Sequence, residues 1–108
     1  MNKKLKNKIS DRLVNAFLKN KIISPLPQKI TKKLTVADEF RKLCESKIKD
    51  PVIGFKAGGT GIPVMKKLKE KEPFYASIYK RNFLKSGQKV KINKSTLGIE
   101  LEVCYLIK

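Results

Sequence analysis

The spacing of apolar residues changes period at Pro51, and this constrains the fold more than any other feature of the chain. Before it, Leu5, Ile9, Leu13, Ala16 and Phe17 recur at helical spacing, with lysines on the other faces. This predicts an amphipathic helix over residues 4–19, closed by the prolines of "SPLPQ" at 24–28. A second helix is expected from "TVAD", with Thr35 as N-cap and Asp38 completing a short-acid capping box. Val36, Phe40, Leu43, Cys44 and Ile48 form its apolar face, and Asp50-Pro51 ends it.

After Pro51 the pattern alternates. "PVIGFKAGGTG" reads as a short strand entering a glycine-rich turn, and Pro63 suits the first turn of a short helix. "PFYASIY" alternates like a strand, "KSGQ" turns, "KVKIN" alternates again, and "LGIELEVCYLI" at 97–107 reads as the last strand. Two N-terminal helices in 1–50 followed by a mostly antiparallel or mixed β portion in 51–108 define an α+β class.

Charge bears on function. The chain carries 26 Lys and Arg against 9 Asp and Glu, a formal net charge of +17. Such an excess raises a nucleic-acid-binding module as an alternative. Only Arg12, Arg41 and Arg81 are arginines, however, and arginine is the side chain suited to bidentate phosphate and base recognition. The excess therefore reads as lysine bias. Asp11, Asp38, Glu39 and Glu45 also interrupt both helices. There is no histidine, which removes the commonest acid–base group and zinc ligand. Cys44 and Cys104 match no metal or redox spacing and read as buried thiols in a reducing cytoplasm. The longest apolar run, Val103 to Ile107, is too short to span a bilayer, so no membrane partner is expected.

Against this background Glu100 and Glu102 stand out. In a strand they would project to the same face, where two carboxylates repel unless a positive charge lies between them. A hard divalent cation meets that need, and so does a lysine on a solvated face. Both readings remain open from spacing alone.

"GFKAGGTG" at 54–61, "EPFYASIY" at 72–79 and "LGIELEVCYLI" occur in order and at matching intervals. Together they resemble the 2-keto-4-pentenoate hydratase branch of the fumarylacetoacetate hydrolase family, whose segments read G-[YW]-K-x-G-x-T, E-P-x-x-G and E-x-E. The resemblance covers residues 50–108 well and the helical region loosely. It implies that 51–108 is a partial fumarylacetoacetate hydrolase-like β region. Glu100 and Glu102 match two acidic ligands of a Mg²⁺ or Mn²⁺ ion, and Lys56 matches the active-site lysine. Gly58 and Thr60 match the adjoining substrate-side turn. The implied activity is that of a metal-dependent hydro-lyase acting on a small 2-keto or 2-enol acid. Lys80 and Arg81 replace an acid pair found in many hydratases, so acid–base roles of that pair do not carry over. Family members are about twice as long, and their third acidic ligand follows the E-x-E strand. The expectation is thus a shortened protein that turns over little or nothing by itself, with a homo-oligomer or a separately encoded C-terminal half as the candidates for completing its site.

Overall fold

Asn2 begins the first helix by accepting a hydrogen bond from the Leu5 backbone N–H at 2.9 Å. The computed structural model describes residues 2–94 and 96–107. Helix α1 spans Lys3–Leu18, α2 Gln28–Thr31 and α3 Leu34–Glu45. Strand β1 (Val52–Gly58), helix α4 (Ile62–Leu68) and strand β2 (Phe74–Tyr79) follow, and a 3-10 turn at Lys80–Asn82 closes the regular structure. The α+β class is therefore observed, with β1 and β2 forming a two-stranded antiparallel sheet.

The core lies in the helical layer. Ile9 from α1, Ile30 from α2 and Phe40 from α3 form one buried cluster, with Leu13, Leu26 and Val36 packed against it. Burying such side chains supplies roughly 1.5–3 kcal/mol each. Ser10 is fully buried where α1 meets α3. Its hydroxyl donates to the Asn7 carbonyl at 2.8 Å and accepts from the Lys47 ammonium at 2.6 Å. Lys47 also pairs with Asp11 at 2.6 Å, tying the chain just after α3 to α1.

A small set of polar and aromatic contacts joins the hairpin to the helices. Arg41 pairs with Asp38 and Glu45, both at 2.7 Å, and lies 4.6 Å from the centre of the Tyr75 ring on β2. The second Glu45 oxygen accepts from the Ser77 hydroxyl at 2.7 Å. The Phe17 and Tyr79 rings meet at a tilt of 57°, with 5.7 Å between their centres. Tyr79 is only 5% exposed, and its buried hydroxyl has no hydrogen-bond partner among the described residues. Tyr79→Phe removes an unsatisfied polar atom and should raise unfolding free energy by about 1 kcal/mol, read from urea denaturation. A loss of stability would show that the hydroxyl is engaged.

Several expectations need correction. Lys33, in extended conformation, caps α3 in place of Thr35; its carbonyl accepts from Val36 and Ala37, and no side chain contributes. Asp38 instead pairs with Arg41 and Lys42. The helical region contains the additional short α2. Residues 89–93 and 97–107 form no strand, so the region after Pro51 is not mostly β. Alternation gives a segment the capacity to pair, but a strand exists only where a neighbour completes its hydrogen bonds. Nor is Cys104 a buried thiol: it is exposed, while Cys44 is half-buried. No helix among the described residues is long and apolar enough to cross a membrane.

Candidate metal and substrate site

Strand alternation sorts the hairpin into two faces. Phe55 and Ala57 lie opposite Ser77 and Tyr75, on the side that meets α3 through Arg41 and Glu45. Gly54, Lys56 and Gly58 lie opposite Ile78, Ala76 and Phe74 on the other side. Lys56 thus projects away from the helices, across from the small Ala76.

Glu100 and Glu102 converge on it there. The Lys56 ammonium donates to Glu100 Oε2 at 2.6 Å and lies 3.1 Å from Glu102 Oε1. Three residues singled out from the sequence are therefore brought together, and a cation does sit between the two carboxylates. In this structure that cation is an ammonium. The hydrogen bond to Glu100, then that to Glu102, raises the Lys56 pKa. The same bond from Lys56 lowers the Glu100 pKa.

Gly58 and Thr60 stand apart from the ion pair. A Cβ on Gly58 would come within 2.6 Å of the Phe74 ring, and one on Gly59 within 2.8 Å. The turn's close backbone approach is thus made to a phenylalanine. Gly59 also has φ of +66°, a conformation glycine adopts freely. Thr60 is exposed and makes no hydrogen bond to either glutamate among the described residues.

The pairing has a pH signature. The lowered Glu100 pKa makes its contribution complete above the ordinary value of 4.5, and the contribution is lost as pH falls through the folded-state pKa. The raised Lys56 pKa sets the alkaline limit, where the contribution is lost as pH rises past 10.5 and through the folded-state value. Amide resonances of residues 99–103 should therefore shift on acidification below the ordinary carboxylate range, and added salt should weaken the contact because all three groups are exposed. In the Lys56→Ala variant the midpoint should move to higher pH, because Glu100 loses the ammonium that holds its pKa down. A midpoint unchanged in that variant would mean the segment is held by something else.

Among the described residues no three His, Cys, Asp or Glu side chains gather into a metal-binding group. Two converging, solvent-accessible carboxylates nonetheless fit a Mg²⁺ or Mn²⁺ ion, which commonly takes one or two carboxylates and completes its shell with water. Lys56 would have to swing aside to admit it.

Arg41, Glu45 and Ser77, which join the helices to the hairpin, were not among the residues selected from sequence. Two of them could have been found, because Asp38, Arg41 and Glu45 have the i, i+3 and i, i+4 spacing of helical ion pairs. No family model, curated protein or solved structure matches this chain.

Proposed function

We propose that this chain belongs to the 2-keto-4-pentenoate hydratase branch of the fumarylacetoacetate hydrolase family and acts on a small 2-keto or 2-enol acid. The observation that supports the reading is the convergence of Glu100 and Glu102 on one point, which the Lys56 ammonium occupies. Glu100 and Glu102 would hold Mg²⁺ or Mn²⁺. The bound ion would supply Lewis-acid polarisation of the substrate's 2-oxygen. Lys56, released from the glutamates, would then bind the substrate carboxylate. Gly58 and Thr60 would form the neighbouring wall.

A second reading is a non-catalytic unit that requires further polypeptide, from another copy or a separate chain, to complete the site. It is favoured by segment 97–107, whose residues form no strand and whose Leu97, Ile99, Leu101, Val103, Tyr105, Leu106 and Ile107 are all at least 79% exposed. Two carboxylates on an unpaired segment also lack the packed support that holds a catalytic shell within about half an ångström.

The two readings are separated by titrating Mn²⁺ into residues 1–108 and following hydration of 2-hydroxypenta-2,4-dienoate. Under the hydratase reading, metal-dependent turnover appears and falls on the order of 10²-fold or more in the Glu100→Ala, Glu102→Ala double variant. Absence of turnover and of Mn²⁺ binding removes independent catalysis. Restoration by an added polypeptide, in the unsubstituted chain only, establishes the second reading.

A further inference from the structure

Segment 97–107 carries an apolar face that nothing among the described residues covers. Leu97, Ile99, Leu101, Val103 and Tyr105 alternate along it and are between 79% and 102% exposed. The residues between them include Glu100 and Glu102, whose carboxylates both reach Lys56. In an extended chain, successive side chains point to opposite sides. The acidic side is thus held against the outer face of the hairpin, and the apolar side is turned to solvent.

Charge narrows what can cover that face. Copies of a chain with net charge +17 repel wherever their lysines meet. Residues 95–107 contain no lysine or arginine, the longest such stretch in the sequence, and their two acids are already paired with Lys56. Two copies can therefore touch here without opposing lysines. An acidic partner would instead be drawn to the lysine-rich remainder of the chain. Pairing edge to edge about Leu101 would set Glu100 of one copy against Glu102 of the other, and like charges directly opposite are destabilising. Face-to-face contact keeps all four carboxylates on the outer sides, each pair on its own Lys56. We propose that this chain self-associates through the apolar side of 97–105, packed face to face across a two-fold axis at Leu101. The same five side chains then meet the same five, and the symmetry closes the assembly at two copies. This rests on the second reading above and names the further polypeptide as another copy, which supplies the packed support that the segment bearing Glu100 and Glu102 lacks alone.

A standard interface buries roughly 800 Å² on each partner. Five side chains of one segment cover less, so the dimer should dissociate on the order of tens of micromolar. Sedimentation equilibrium of the full chain, from about 5 to 500 μM, reads the balance around that midpoint. Added salt should tighten the dimer, because it screens repulsion between the two basic bodies and no ion pair crosses the contact. Leu101→Lys should weaken it roughly tenfold or more, replacing apolar burial with facing like charges. Leu101 is fully exposed in the single chain, so the circular dichroism and urea denaturation of dilute protein should not change. Ile22→Lys, which removes an exposed apolar side chain elsewhere, should leave association as it is. A chain that stays monomeric throughout this range would overturn the proposal while leaving the second reading to a separately encoded partner. Association that weakens with salt, survives Leu101→Lys or grows beyond two copies would overturn it as well.

Discussion

Phe40→Ala should lower the unfolding free energy by about 3–5 kcal/mol, the range for deleting a buried phenylalanine ring. Phe40 is 5% exposed and is the α3 member of the Ile9–Ile30–Phe40 cluster, so its removal weakens the packing of all three helices. It also lines a pocket between the helices and the hairpin, so the truncation adds space beside a surface that is already incompletely packed. Against the roughly 5–15 kcal/mol typical of a folded domain, this leaves little reserve. Urea denaturation followed by far-UV circular dichroism measures it. A change below about 1 kcal/mol, well under that range, would mean that the core lies elsewhere.

The second large effect is expected at Gly59. Valine there must adopt φ near +66°, where a β-branched side chain is strained, and its Cβ would meet Phe74 at 2.8 Å. Together these should cost about 2–3 kcal/mol. The two causes can be separated with Gly59→Ala. In the Phe74→Ala background the steric part disappears and the backbone part remains, so the penalty for Gly59→Ala should shrink without vanishing. An identical penalty in both backgrounds would show that the Phe74 ring simply turns away.

Local patterns made α1, α3, β1, β2 and the Pro63-led α4 legible, because apolar periodicity and proline placement act within a few residues. At the start of α3, Thr35 has capping chemistry, but the N-cap lies two residues earlier at Lys33, whose carbonyl receives the first bonds. Segments 89–93 and 97–107 exposed a different limit. Their alternation records suitability for a sheet, whereas a strand's existence depends on an adjacent backbone that no local pattern specifies. At the candidate site, the shared direction of Glu100 and Glu102 followed from their spacing, and both do reach one cation. That the cation is Lys56 depended on how distant segments meet. That the Tyr79 hydroxyl finds no partner among the described residues likewise depended on how the helices and hairpin assemble.

The seam between helices and hairpin has a consequence for the order in which the molecule opens. Arg41, Glu45, Ser77 and the Phe17–Tyr79 pair bridge the layers beside that pocket, whereas the helices share a buried cluster of their own. Peptide hydrogens of β1 and β2 should accordingly exchange with deuterium through partial openings of lower free energy than those exposing α1 and α3. The hairpin would detach first, leaving the helical group as the last protected part of the chain.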